Sequence, residues 1–583
     1  MAGTILNPGG RNCFKEMYES RDRSIFVDKT AFLAEIICRM NSLDKLIAFI
    51  RPRRFGKTLT ARMLASFFSR GDDCRDMFAN LKIAAFSPDR EVDGITLPAD
   101  WGTYLNQSDV IYWDMISLMD GFRACQRYRA NQAECIADIV DYMEQATLAE
   151  IRTDPRLDAR IRESSSDATG SLRQALLASG STFVLIMDEW DLIFREFQDD
   201  LALQQKFIDF LKGLFKSSDG LSCFSLVYLT GILPIKKYRS QSALNNFREH
   251  TLLTPGGFAP YFGFTDEEVA AICQSPRCRI PRVILKQWYE GYRILLREEW
   301  QTAGTDDPHP RRCQIYTDVY NPNSVCCAVM RNECLPYWSD TSSDEELVRL
   351  ISMNFAGLKD DVLNLIAGAR VDFDFRTFQN DMVTIESKDQ IFSLLVCLGY
   401  LGCTDMGGTR RSAYVPNKEI RSALSSLVRT QSWYGSMAII NRSEKLFCAI
   451  CTLDSETTAG IIREIHDSSY ASKLGYNSEE TLVFCLIAGL MWSTEADYDC
   501  YRELPAGLGF ADLVLVPKCR TDHPVLVMEF KRNFSAEKAL AQIREKNYAS
   551  RYCSDLDSRQ VILIGLGYDS RTKEHCCVME RQG

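Results

Sequence analysis

Leu46-Ile47-Ala48-Phe49-Ile50-Arg51-Pro52-Arg53-Arg54-Phe55-Gly56-Lys57-Thr58 is an apolar run, then a basic loop, then a Gly-Lys-Thr that opens a helical pattern through Leu64, Phe67 and Phe68. The order is strand, loop, helix. A phosphate-binding loop needs inward-turned backbone N–H groups at a helix N-terminus, a lysine for the β and γ phosphates and a hydroxyl for Mg²⁺. Gly56, Lys57 and Thr58 supply these, and the nucleotide-binding set reads as Arg54, Phe55, Gly56, Lys57, Thr58 and Leu59. Arg51 stands where the G-x-x-x-x-G-K-[ST] pattern has its first glycine, so the motif alone reads equally as a basic loop capping a helix.

A second stretch answers the first. Phe183 to Met187 is a buried-strand run ending in Asp188-Glu189. Adjacent carboxylates at a strand's C-terminal end divide the work, Asp188 holding Mg²⁺ and Glu189 polarising the attacking water. A third run, Phe224 to Leu229, ends at Thr230, placed to sense a γ-phosphate, and Asp109 to Ile116 is a further strand. Strands alternating with helices predict a P-loop NTPase parallel sheet with helices on both faces. Arg248 and Arg239 are candidate arginine fingers, with surface charge or a structural ion pair the favoured reading of either.

Near the other end, Asp512 enters the apolar run Leu513 to Val516, and Val525 to Met528 leads into Glu529-Phe530-Lys531. In a strand, Glu529 and Lys531 project from one face and Phe530 from the other, and a hairpin brings Asp512 to them. Two carboxylates and a lysine fit metal-assisted phosphodiester hydrolysis: Asp512 and Glu529 bind Mg²⁺ or Mn²⁺, and Lys531 orients the water and steadies developing charge. The competing reading is a salt-bridged edge strand, against which stands the cost of burying Glu and Lys without partners. A helix after Asn477 offers Glu480, favoured over Glu479, as a third metal ligand, and Glu503 is a further candidate for the site.

Between the two sites, the pattern from Tyr337 to Leu427 is mostly amphipathic helix. Arg410, Arg411, Lys418 and Arg421 cluster around a hairpin, read either as a solvated turn or as a winged-helix-like contact to a DNA backbone. Gly304 to Arg312 reads as an exposed loop.

With these landmarks the chain resembles the AAA-ATPase-like proteins that carry a C-terminal PD-(D/E)XK nuclease domain. Phe26-Val27-Asp28-Lys29-Thr30, the Arg-Pro-Arg-Arg-Phe-Gly-Lys-Thr loop, Asp188-Glu189-Trp190-Asp191, Leu244-Asn245-Asn246, Gly263-Phe264-Thr265, Trp288 to Tyr292 and Tyr320-Asn321-Pro322 match that family's markers in order. The resemblance makes the loop's Arg51 a family feature. It also implies that Gln542, Lys546 and Tyr548 form a Q-x-x-x-K-x-Y run beside the metal, with Arg532, Lys538, Arg544 and Arg551 as backbone contacts. Trp190, where the family more often has Tyr, and Phe510, where many relatives have Arg, are departures.

The expected architecture is a multidomain α/β chain: residues 1–340 an ATPase-like domain with a helical lid, 341–440 a mainly helical connector, and 441–583 a restriction-endonuclease-like α/β domain. The length of 583 residues is consistent with several domains. A formal charge of −10 argues against nonspecific coating of nucleic acid, while a local basic cleft or bound metal still holds a phosphate backbone. The 22 scattered cysteines read as free thiols, with Cys448 and Cys451 in core packing, in an intracellular protein, cytoplasmic or nuclear, neither secreted nor membrane-spanning. The expected function is ATP binding and hydrolysis joined to a metal-dependent nuclease acting on nucleic acid, DNA in the first place. A nucleotide-switched binding module with an inactive nuclease fold is the alternative, and a homo-oligomer is left open.

Overall fold

The computed structural model describes residues 4–6, 13–19, 25–71, 73–129, 138–164, 171–235, 244–254, 256–301, 311–338, 347, 349–351, 353, 355, 357–366, 368–375, 385–430, 436–467, 486, 489–490, 493–494, 498–506, 509–517, 523–546 and 560–582. The chain forms two compact units, Met1–Ser342 with Asp372–Ile420, and Ser343–Val371 with Arg421–Gly583. Residues from the expected connector, 341–440, contribute to both.

The first unit is built on a six-stranded sheet of β1 (Thr4–Ile5), β2 (Leu46–Ile50), β3 (Asp109–Asp114), β4 (Phe183–Asp188), β5 (Phe224–Gly231) and β6 (Arg248–His250) in the order β1-β3-β4-β5-β2-β6. Every neighbouring pair is parallel. Parallel sheets are covered on both faces, and this is why the strands read as unbroken apolar runs. On β2, Leu46, Ala48 and Ile50 enter one core with Trp113 and Leu185, while Ile47 and Phe49 enter the opposite core with Tyr112, Ile186 and Tyr228. The helix Lys57–Phe68 buries Leu64, Phe67 and Phe68 in the second of these cores.

Two smaller sheets complete this unit. Strands β7 (Tyr292–Gln301) and β8 (Arg311–Val319) pair antiparallel, so the expected loop at 304–312 lies outside the described residues up to 310 and then enters β8. Strands β9 (Val371–Asp374), β10 (Gly402–Asp405) and β11 (Arg410–Tyr414) form a sheet in the order β10-β11-β9. The hairpin expected around Arg410 and Arg411 is therefore present, but Arg411 is buried rather than displayed. Its guanidinium pairs with Asp405 at 2.8 Å, donates to the Leu253 carbonyl at 3.3 Å and lies 4.6 Å from the Phe375 ring centroid. Lys418 lies over Trp288 at 4.8 Å. Arg411 therefore departs from both readings of the hairpin, the solvated turn and the DNA-facing wing, while Lys418 is half-buried against Trp288.

The second unit holds a mixed sheet of β12 (Tyr498–Ala506), β13 (Gly509–Pro517), β14 (Val525–Arg532), β15 (Val561–Tyr568) and β16 (His575–Gln582) in chain order. All neighbours are antiparallel except β14 and β15, which run parallel and are separated in sequence by the helix Ala536–Glu545. Leu526, Met528 and Phe530 pack in one core with Leu446 and Ile462. Val525 and Val527 pack on the other face with Leu540 and Ile543 of the crossover helix. The alternation on β14 thus sends Glu529 and Lys531 toward the crossover-helix face and Phe530 away from it, as the strand period requires. All described cysteines are free thiols, and Cys448 is exposed rather than in the core.

Candidate active sites

In the first unit, chain continuity and strand order assemble the site. β2 lies beside β5 and β5 beside β4, with Phe49 opposite Thr230 and Thr230 opposite Asp188. The loop leaving β2 therefore meets the acidic end of β4. Gly56 caps the helix Lys57–Phe68 with a left-handed φ of 81°, a conformation glycine adopts without the usual Cβ penalty. Lys57 is buried, and its ammonium donates to the Pro52 carbonyl at 2.9 Å. Burial lowers its pKa, opposed by the carboxylates of Glu189, Asp188 and Asp191.

Asp188 is 1% exposed, and burial pushes its carboxyl up to about 7 against the stabilising hydrogen bond from Thr58. Its Oδ1 has no hydrogen-bond partner among the described residues. A buried carboxylate oxygen with no donor, next to a hydroxyl at a helix start, is a donor set suited to a hard divalent cation. Glu189 sits at a left-handed φ of 57° and is ion-paired with Arg195, whose Nε lies 3.2 Å from Asp191. A cleft of about 590 Å³, a volume typical of small-ligand sites, is lined by Gly56, Lys57, Thr58 and Glu189 at its polar side and by residues including Phe26 and Phe264 at its apolar side.

Other expected contacts are placed differently from one another. Phe55 and Leu59 both line the cleft, yet Phe55 is buried with its ring edge-on to Tyr292, and Leu59 is exposed. Arg54 donates to the Tyr337 carbonyl. Thr230 is fully buried, one strand over from Asp188, and is not a lining residue of the cleft. Arg248 pairs with Asp44 at 2.9 Å, the structural ion pair favoured above, while Arg239 lies outside the described residues.

Arg51 explains its own departure from glycine. Its side chain is fully buried, donates to the Ile50 and His250 carbonyls at 3.0 and 2.7 Å, and lies 5.5 Å from the Phe262 ring centroid. It ties the start of the loop to β6, a link no glycine provides, although burial lowers its pKa to about 10.

In the second unit the site is assembled by register. Asp512 of β13 accepts the Phe530 amide at 2.8 Å through Oδ2, fixing it beside β14. Glu529 is 1% exposed; its Oε1 accepts from Lys531 at 3.0 Å and from Gln542 of the crossover helix. Burial, and then the nearby Asp512 carboxylate, raise the pKa of Glu529, with Lys531 opposing. Oε2 has no hydrogen-bond partner among the described residues, so this site too presents a buried oxygen suited to a cation. Among the described residues no group of three or more His, Cys, Asp or Glu side chains is arranged to hold a metal ion. Glu480, the expected third ligand, lies outside them, as do Glu479, Tyr548 and Arg551.

Residues 8–239 match the family model described as predicted AAA-ATPase, and residues 478–577 match the PD-(D/E)XK nuclease superfamily. The chain thus carries one segment similar to predicted AAA-ATPases and a second similar to the PD-(D/E)XK nuclease superfamily. The first match contains the loop, the acidic strand end and β5; the second contains Asp512, Glu529, Lys531 and Gln542. The chain is also similar to a protein described as "Uncharacterized protein in vnfD 5'region" of Azotobacter chroococcum mcd 1, 26% identical over 349 residues, which are 59% of this chain and 56% of that protein. The chain therefore spans little more than half the length of that relative.

The roles of several residues that shape these sites were not read from sequence. Asp191 is fully buried and accepts the Ile232 and Leu233 amides at 3.2 and 2.9 Å; Arg195 joins it to Glu189. The available signal was an arginine one helical turn after Asp191. Gly565 and Gly567 are the β15 partners of Glu529 and Lys531. A Cβ at Gly565 would collide with the Ala536 carbonyl and come within 2.7 Å of the Leu540 amide nitrogen, so the bare backbone lets the crossover helix, and with it Gln542, sit close to the sheet. Here the signal was Gly-x-Gly inside an apolar strand, which marks a close approach. Arg544, expected at a phosphate, is instead ion-paired with Glu580.

Proposed function

We propose that the N-terminal domain binds and hydrolyses ATP with Mg²⁺, and that the C-terminal domain hydrolyses phosphodiester bonds in nucleic acid, DNA first, with Mg²⁺ or Mn²⁺. The observation that carries the nuclease reading is the convergence of Asp512, Lys531 and Gln542 on a buried Glu529 that keeps an oxygen without a donor among the described residues.

In the nuclease site Asp512, Glu529 and the expected Glu480 would hold the metal. Bound there, the cation supplies Lewis-acid stabilisation of the phosphoryl oxygens and a more acidic water. Lys531 then aligns the water and the developing negative charge, while Gln542 keeps Glu529 in its rotamer. In the nucleotide site the backbone at Gly56 and the Lys57 ammonium receive the phosphates, Thr58 and Asp188 would hold Mg²⁺, and Glu189 orients the attacking water once Arg195 yields it.

The test is cleavage of labelled single- and double-stranded DNA and RNA with Mg²⁺ or Mn²⁺, with and without ATP, beside Lys531→Ala and Lys57→Ala. Metal-dependent cleavage lost in the first variant and changed in its ATP response in the second is the expected result. Cleavage that persists in Lys531→Ala overturns the proposed active site. No cleavage under any condition, with ATP binding intact, would favour the nucleotide-switched binding module.

A further inference from the structure

Strands β14 and β15 run parallel, and in open α/β sheets ligands gather at the C-terminal ends of such strands. Lys531 and Arg532 close β14, and the next residues, Asn533 and Phe534, form the turn into the crossover helix. That turn is held at several points. The Asn533 amide donates to the Tyr568 carbonyl at 2.7 Å, and Asn533 Oδ1 accepts from the Ser570 amide and hydroxyl at 2.9 and 2.7 Å. A Cβ at Gly567 would come within 2.7 Å of the Phe534 carbonyl, so the turn is pressed onto β15.

On this fixed turn Phe534 is 52% exposed, with the Lys538 ammonium 3.7 Å from its ring centroid and Arg532 exposed beside it in sequence. The acidic neighbours are engaged locally. Glu537 interacts with Ser535 and its own backbone amide, and Asp569 accepts the Arg571 and Thr572 amides. A lone exposed apolar side chain on a loose surface needs no explanation. This one stands on a turn held by several hydrogen bonds, against the Lys538 ammonium, three residues past Lys531 and so at most about 10 Å from it along the chain.

We propose that Phe534 is a base-stacking platform for single-stranded DNA beside the scissile phosphate, with Arg532 and Lys538 holding the flanking phosphates. The proposal rests on the nuclease reading above and narrows its substrate to strands with unpaired bases at the cleavage point. Stacking on an aromatic ring is sequence-tolerant because every base has a π-face, and phosphate contacts add charge complementarity.

The experiment measures fluorescence anisotropy of a labelled DNA strand, alone and in duplex, on the full chain with Ca²⁺ in place of Mg²⁺, for wild type, Phe534→Ala and Phe534→Tyr. The expected result is a roughly tenfold loss of single-strand affinity in Phe534→Ala, duplex affinity unchanged, and recovery in Phe534→Tyr. A 2-aminopurine at the contacted position should be quenched by wild type and by Phe534→Tyr, and not by Phe534→Ala. Single-strand binding by Phe534→Ala equal to wild type, or equal losses on single strand and duplex, overturns the stacking role while leaving the nuclease reading in place. Absence of binding to either DNA by wild type overturns the stacking role, while the nuclease reading stands or falls on the cleavage assay.

Discussion

The candidate nucleotide site and the candidate nuclease site share a plan, a buried carboxylate on a strand with a lysine close by, and reach it by different routes. Asp188 and Lys57 come from segments far apart in the chain and meet only because β2, β5 and β4 are neighbours in the sheet. Glu529 and Lys531 are two residues apart on one strand, so the pleat alone puts them on one face. The first geometry is a product of tertiary assembly, the second of local backbone. In both, burial works against the charge of the carboxylate, a cost that a bound cation would offset.

The contrast predicts that substitutions separate the sites cleanly. Lys531→Ala should lower single-turnover cleavage on the order of 10²–10³-fold, as loss of a group that stabilises developing charge does, with ATP affinity unaltered by calorimetry; a fall below tenfold would break the comparison. Lys57→Ala should weaken ATP binding by about 100-fold, the size expected for removing a charge-assisted phosphate contact, with the melting temperature in the absence of ATP little changed. Gly565→Ala sharpens the comparison, because it asks whether the locally wired site still depends on a distant close approach. Denaturant unfolding should show a loss of about 2 kcal/mol from forcing the crossover helix off the sheet, and retention of wild-type stability would show that the helix tolerates a Cβ there. Gln542→Ala should have the smallest effect, about a tenfold loss of Mn²⁺ affinity from removing a hydrogen bond to a ligand, read by metal titration.

The same contrast explains what was legible. The Gly-Lys-Thr loop, the acidic strand end and the Glu-x-Lys strand are short strings in which residue type, spacing and secondary structure agree, and each lies where it was expected. The roles of Arg51 and Asp191 were not legible, because their partners, the His250 carbonyl and the Ile232 and Leu233 amides, are backbone groups that carry no sequence identity. Arg411 shows the converse error. A cluster of cations in a hairpin reads as a solvated turn or a nucleic-acid contact, and only tertiary packing shows that Arg411 is buried on Asp405, Leu253 and Phe375. Strands β7 and β8 went unread as well, because charged residues such as Arg297, Glu298 and Glu299 interrupt any apolar run there.

Asp191 also has a mechanical meaning. The Trp190 indole donates to the Leu233 carbonyl at 3.0 Å while Asp191 accepts the amides of Ile232 and Leu233, so the chain just past Glu189 and the chain just past β5 are riveted together. Arg195 adds a lever, since it grips both Glu189 and Asp191. The side chain that pairs with Glu189, Arg195, is thereby tied to the same aspartate that fixes the chain leaving β5, so the acidic strand end and the exit of β5 share one buried anchor.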